Sequence, residues 1–278
     1  MKRIIVIIGL LISCLCVNTK LSAQSILDDH PNEGLYMQGS VEVGGTGYYK
    51  PMNYPTIREA DVMWRKRIWR TIDFRQKMNQ VFFYPTETHY NWTNFMQILI
   101  DNWHSGDIKV YEVDTDRDEL NTPYLYEDFK TKYEKVFRNE AGQEITKPFD
   151  VTNVKMLNIM EDWYFDRQRS QLMVRILAIS PVVVHEDGKE PEQLFWVSYN
   201  SATRKVLAKS NFFNRDNPGA PLNYDQVFMM RMFDSYIYKE ENPYDRRIIN
   251  YAEGVGALYE SERIKQEIID FEQNLWEY

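Results

Sequence analysis

Only two of the 278 residues are cysteine, Cys14 and Cys16, and both fall in the first apolar stretch of the chain. Once that stretch is removed on export no thiol remains, which excludes disulfides, thiolate metal sites, cysteine nucleophiles and thiol redox chemistry. Histidine is nearly as scarce. His30, His89, His104 and His185 are scattered, with no pair at the i, i+4 spacing that lets one helix face grip zinc. A basic surplus is also missing, since 33 Lys and Arg face 41 Asp and Glu, for a formal charge of -8 and a pI near 5.2. That argues against nucleic acid as the main partner, because phosphate binding is driven by Lys and Arg displacing counterions. No Gly-x-Ser-x-Gly elbow occurs, so a hydrolase nucleophile of that type lacks its strained turn. No repeat recurs at a fixed period.

What is present is a folded chain, 44% hydrophobic and 14% aromatic. Its first 23 residues read as an export address. Lys2 and Arg3 form a basic start, Ile4 to Val17 an apolar stretch, and Leu21-Ser22-Ala23 offers the small residues a signal peptidase accepts. Cleavage is expected between Ala23 and Gln24. The apolar stretch is shorter than the ~20 residues that span a bilayer. A lipobox reading of Leu11 to Cys14 is second choice, because apolar residues continue through Val17. Losing 23 residues, among them Lys2, Arg3 and Lys20, leaves 255 residues with 30 basic against 41 acidic, a net charge of -11. No later segment approaches a membrane span.

Residues 24–55 hold Gly34, Gly39, Gly44, Gly45 and Gly47 with Pro31, Pro51 and Pro55, and read as an extended arm. The glycines at 44–47 do not make a phosphate loop, since no Gly-Lys-Ser/Thr follows and Pro51 and Pro55 disfavour a helix. Thr56 and Glu59 have capping-box spacing, and Ala60, Trp64, Ile68 and Ile72 recur one turn apart, which predicts a long helix ending near Asn79. That segment carries Arg58, Arg65, Lys66, Arg67, Arg70, Arg75 and Lys77 against Glu59, Asp61 and Asp73. It is either a solvated face or a docking face for an acidic surface. A second helix is predicted from a Thr93 cap to Gly106, then a strand over 108–113. Asn91-Trp92-Thr93 matches a glycosylation sequon by chance. Asp114, Asp116 and Asp118 resemble the start of a calcium loop, but Glu119 and Leu125 stand where its glycine and bidentate acid belong. They read as an acidic turn before a helix over 124–138.

The middle reads as an antiparallel meander: 163–165, a turn at 166–170, 172–179, 182–184, a turn at Asp187-Gly188 and 194–199, with Pro181 marking a bulge or break. Helical signals return over 224–233. The last helix starts near Ala257, with Leu258, Ile264, Ile268, Phe271 and Leu275 on one stripe and Glu260, Glu262, Glu267, Asp270, Glu272 and Glu277 outside it. Glu161-Asp162 beside Trp163 could be imagined as half of a sugar-cleaving site, but a strand-edge surface explains it better.

Three stretches carry a family resemblance. Met63–Pro85 (MWRKRIWRTIDFRQKMNQVFFYP), Glu161–Ser170 (EDWYFDRQRS) and Tyr244–Ile248 (YDRRI) resemble the gliding-motility GldN family, called PorN in non-gliding relatives, of the type IX secretion system of Bacteroidota. The resemblance implies a non-enzymatic part of a periplasmic machine, without catalytic residues, metal or cofactor. It also implies a ring under the outer membrane built with the lipoprotein GldK (PorK), and contact with the periplasmic shaft of GldM (PorM). The competing reading is an exported carbohydrate-binding or carbohydrate-active protein.

The expected fold class is α+β: helices at both ends packed around a central antiparallel β-meander, preceded by the arm, with one domain over 56–278. The expected partner-binding residues are Trp64, Arg65, Trp69, Arg70 and Arg75 on the basic segment and Glu267, Asp270 and Phe271 on the last helix. Opposite charge on two helices of one chain could write a contact between subunits, or equally a pair within one. In the first case, reversing Arg65 and Arg70 leaves the monomer folded.

Overall fold

The computed structural model describes residues 51, 54–87, 93–113, 120–138, 144–185, 190–215, 217 and 222–274. The signal segment with Ala23 and Gln24, most of the arm including Gly44 to Gly47, Asn91 and Trp92, the Asp114–Asp118 run, the Asp187-Gly188 turn, Leu275 and Glu277 lie outside the described residues.

In chain order the elements are β1 (Val62–Asp73), α1 (Gln80–Phe83), α2 (Phe95–His104), β2 (Val110–Tyr111), α3 (Tyr126–Tyr133), β3 (Lys135–Arg138), β4 (Glu144–Lys147), β5 (Val154–Asp166) and β6 (Gln171–Val183). Then follow β7 (Glu192–Gln193), β8 (Trp196–Ser198), α4 (Ser201–Lys209), β9 (Asn211–Phe212), β10 (Leu222–Asn223), α5 (Tyr224–Met229), β11 (Tyr236–Glu240) and α6 (Val255–Asn274). The fold is mixed, with a mostly antiparallel sheet and helices around it. Seven strands form the main sheet in the order β11-β1-β5-β6-β8-β2, with β7 beside β6.

The long helix expected over 56–79 is instead strand β1, between β11 and β5. The reason lies in the spacing. A period of four fits one helix face, but four is also a multiple of two, so Trp64, Ile68 and Ile72 share one face of a strand equally well. The tie is broken by residue type and by neighbours. Val62, Trp64, Ile68, Trp69, Thr71 and Ile72 are β-branched or aromatic, and both sides of β1 are paired, so Ile68 to Ile72 are buried without interruption.

β5 and β6 form a hairpin from Val154↔Val183 to Asp166↔Gln171. Asp166 builds its turn: the carboxylate accepts from the amides of Gln168 and Arg169 at 2.9 and 3.3 Å and from the Arg169 guanidinium at 2.6 Å. The Arg169 contact, helped by those amides, holds the Asp166 carboxyl below its ordinary range. Pro181 neither bulges nor breaks β6. It lies opposite Leu157, and its carbonyl accepts from the Leu194 amide at 3.0 Å. The irregularities fall between Val154 and Met156 and between Met160 and Glu161.

The helix predicted over 93–106 is α2, capped by Asn94 rather than Thr93: Asn94 Oδ1 accepts from the Met96 amide at 2.8 Å. Gly106 ends it at φ +81°, as expected. The helix predicted over 124–138 stops at Tyr133 and gives way to β3, which pairs with β4. Helix α4, capped by Asn200, was not anticipated, although Asn200 before Ser-Ala-Thr is a cap signal.

The main core is aromatic. Phe82 sits at its centre, with ring centroids of Phe74, Phe95, Phe212, Tyr224 and Phe228 at 5.6 to 5.9 Å. A second cluster lies under α6, where Ile264 and Ile268 meet Ile68, Ile237 and Ile248. A third holds Trp69, Met160, Ala178 and Trp196, with Trp69 on the strand face opposite Ile68. Ser261 occupies the buried stripe of α6 because its Oγ accepts the Ile237 amide at 2.8 Å, satisfying a backbone donor of edge strand β11.

Candidate interaction surface

Two of the three distinctive sequence stretches pair in the sheet, and the third, Tyr244–Ile248, follows its edge strand β11. β1 pairs with β5 so that Arg67 faces Asp162, and with β11 so that Ile68 faces Glu240. The cations of β1 therefore find cross-strand carboxylates. Arg67 holds Asp162 bidentately at 2.8 and 3.2 Å, Lys66 lies 2.6 Å from Glu240, and Arg65 reaches Glu241 at 3.4 Å. The local basic surplus of β1 is thus met by acids of the same chain.

Beyond β11 the chain turns through 241–254, and one side chain organises the turn. Asn242 Nδ2 donates to the carbonyls of Glu240 and Arg246 at 2.8 and 2.9 Å, and its Oδ1 accepts from the amides of Tyr244 and Arg246 at 3.1 and 3.2 Å. Asp245, at φ +49°, is held by Lys239 at 2.8 Å. Ile248 pins the loop into the cluster beneath α6, while Ile249 beside it is 70% exposed.

This fixed loop leads into α6 through Gly254 at φ +55°, a backbone that L side chains rarely adopt. Among the described residues, six of the twelve exposed large apolar side chains lie between 244 and 259: Tyr244, Ile249, Tyr251, Val255, Leu258 and Tyr259. The Arg246 guanidinium lies 4.8 Å from the Tyr244 ring and 5.0 Å from that of Tyr251. The Tyr251 hydroxyl donates to Glu260, which also accepts from Arg263 at 2.7 Å, and the Arg263 contact keeps the Glu260 carboxyl below its usual range. Tyrosine and arginine on a rigid, half-apolar surface form the composition that carries most binding energy at protein interfaces.

The residues expected to bind partners are placed differently. Trp64 meets Phe271 inside the chain, ring centroids 4.8 Å apart, so α6 packs directly on β1. Trp69 is 5% exposed, with the Lys239 ammonium 4.5 Å from its ring. Arg70 is buried, not on a surface, and donates to the Ser235 hydroxyl and carbonyl, both at 2.8 Å; burial pulls its guanidinium below the ordinary arginine value. Arg65 is half exposed, and Arg75 holds Asp73 at 2.6 Å. Glu267 and Asp270 are exposed on α6, where they contact Arg263 at 3.4 Å and Gln266 at 2.7 Å. Leu258 is 57% exposed and not on the buried stripe.

Glu161 and Asp162 do not form a two-carboxylate site, since successive strand residues point to opposite faces. Glu161 is fully buried, held by Arg231 at 2.7 and 3.2 Å and by the Trp163 indole at 3.0 Å, while Asp162 belongs to Arg67. Among the described residues no helix is long and apolar enough to cross a membrane.

Comparison with curated proteins gives no match. The family described as "Gliding motility associated protein GldN" does match, over residues 57–277. With β1, the β5–β6 hairpin, the 241–254 loop and α6 all inside that span, the chain belongs to the GldN family of gliding motility associated proteins.

Proposed function

We propose that this GldN-family chain is a non-enzymatic structural subunit of the periplasmic ring of the type IX secretion and gliding machinery. In this reading it lies at the inner face of the outer membrane, assembles with a GldK/PorK-like lipoprotein and contacts a GldM/PorM-like shaft. The family match supports the machine, and the exposed, preorganised surface of residues 244–259 supports the role of an assembly subunit. Tyr244, Ile249, Leu258 and Tyr259 are all exposed within one short segment of chain, and a concentration of exposed large apolar side chains is a mark of protein contact sites. The carbohydrate-active alternative loses its candidate carboxylate pair, because Glu161 is buried under Arg231.

The test is co-expression of the exported chain with the lipoprotein, followed by native mass measurement and negative-stain imaging. A multi-copy complex of both proteins is expected. A chain that stays monomeric, and elutes apart from the lipoprotein, contradicts the proposal.

A further inference from the structure

The surface at 244–259 has a complement on the same molecule, at the other end of the same helix. Its head end carries Arg246 and Arg247, both exposed, while the neighbouring Asp245 is committed to Lys239. The tail end of α6, residues 266–274, contains Glu267, Asp270 and Glu272 and neither Lys nor Arg. Glu272 is half-buried and accepts from the Leu172 amide, which leaves Glu267 and Asp270 facing outward. Arg263 is held more closely by Glu260, at 2.7 and 2.9 Å, than by Glu267, at 3.4 Å, and Asp270 contacts Gln266 instead of a cation. At about 1.5 Å per helical residue, Leu258 and Asp270 stand roughly 18 Å apart along α6.

We infer that the occupant of the 244–259 surface is a second copy of this chain, whose acidic α6 tail at Glu267 and Asp270 seats against Arg246, Arg247 and the exposed tyrosines. This rests on the assembly-subunit reading above and names the partner of that surface. The two patches do not overlap, so each copy offers a head to one neighbour and a tail to another, a heterologous contact that closes into a ring or runs on as a filament. Arg246 suits the role because its two tyrosines already hold it in place, so little rotamer freedom is lost on contact. The charges set register and encounter rate, and the exposed apolar side chains supply affinity.

Neither end is needed for the fold. Arg246 and Arg247 are exposed, and Glu267 and Asp270 contact only side chains of their own helix, so charge reversal leaves the monomer intact by circular dichroism. In sedimentation velocity of the full exported chain at low salt, the mass is expected to rise with concentration. Arg246→Glu with Arg247→Glu weakens that association by about tenfold or more, as does Glu267→Lys with Asp270→Lys in a separate protein. Mixing the two variants in equal amounts restores it, because the reversed head of one now meets the reversed tail of the other. Tyr244→Ser with Leu258→Ser also loses association, and mixing with either charge variant does not bring it back to the wild-type level. A wild-type chain that stays monomeric at every concentration overturns the inference, as does either reversal that associates like wild type, or a mixture that fails to recover. If the wild type still forms a multi-copy complex with the lipoprotein in any of those cases, the assembly-subunit reading stands and only this contact is wrong.

Discussion

Arg70→Glu is expected to unfold the protein, although Arg70 lies in the most basic stretch of the chain. The substitution removes both hydrogen bonds to Ser235 and puts a carboxylate at a site that is 8% exposed, on the strand face it shares with buried Glu161. Breaking a buried charged arrangement in this way costs about 3–5 kcal/mol, a large part of the roughly 5–15 kcal/mol that holds a domain together. Thermal denaturation should show a loss of cooperative unfolding, or a fall in Tm of roughly 10 °C or more. Arg65→Glu, made at an exposed position two strand residues from the core, should change Tm by only a degree or two. Equal behaviour of the two variants would contradict the assignment of Arg70 to the interior.

Asp225→Ala is expected to be about as severe. Asp225 is fully buried at the start of α5, where it holds Arg204 of α4 bidentately at 2.8 and 3.0 Å and accepts from the Tyr199 hydroxyl at 2.9 Å. The arginine is further enclosed by the Tyr54 ring at 4.4 Å. Removing the carboxylate leaves a guanidinium and a hydroxyl without their acid inside the protein, at a cost of about 3–5 kcal/mol. Replacing Arg204 by Met in the same protein should recover part of that loss, since a buried ion pair exchanged for apolar groups of similar volume is close to neutral. Urea unfolding of the two single variants and the double variant measures the coupling, and simple additivity would show that the pair acts independently.

The contrast between β1 and α6 shows what this sequence discloses. Both segments repeat apolar residues four apart, and the pattern alone cannot separate a helix face from a strand face. α6 was legible because Ile264, Ile268 and Phe271 recur at helical spacing with strong helix formers between, and its start lies close to where the sequence places it. β1 was not, because its strand identity comes from β5 and β11, whose partners for Arg67 and Lys66 lie 95 and 174 residues away. Asp162 and Glu240 turn what reads as a solvated basic helix face into cross-strand ion pairs. The hairpin was legible from its turn, since Asp166 has the side chain that such a turn needs.

The surface at 244–259 could not be found from hydrophobicity. The sequence places Leu258 on the apolar stripe of the last helix, yet it is exposed, while Ser261 is buried. With Ile264 and Ile268 turned inward, the helical period places Ser261 on the same face, where its hydroxyl meets the edge amide of Ile237, and places Leu258 off that face. The one sequence signal was Tyr244–Ile248, whose arginines and tyrosine stand beside Asn242, a residue able to fold the loop on its own. Trp64 and Phe271, expected to face partners, are each other's partner instead. The attraction between the first and last elements is apolar and internal, and it leaves the acidic tail of α6 free to act elsewhere.

The most direct test of this account is hydroxyl-radical footprinting of the full chain alone and in its assembled complex with the lipoprotein. Tyr244 and Tyr259, 75% and 74% exposed in the monomer, are predicted to lose most of their reactivity on assembly. Met78 and Leu125, exposed elsewhere at 47% and 65%, supply internal references within the same digest, and their protection is predicted to be smaller. Unchanged reactivity of Tyr244 and Tyr259 in a complex that protects Met78 or Leu125 would contradict the account and place the assembly surface on another side of the molecule.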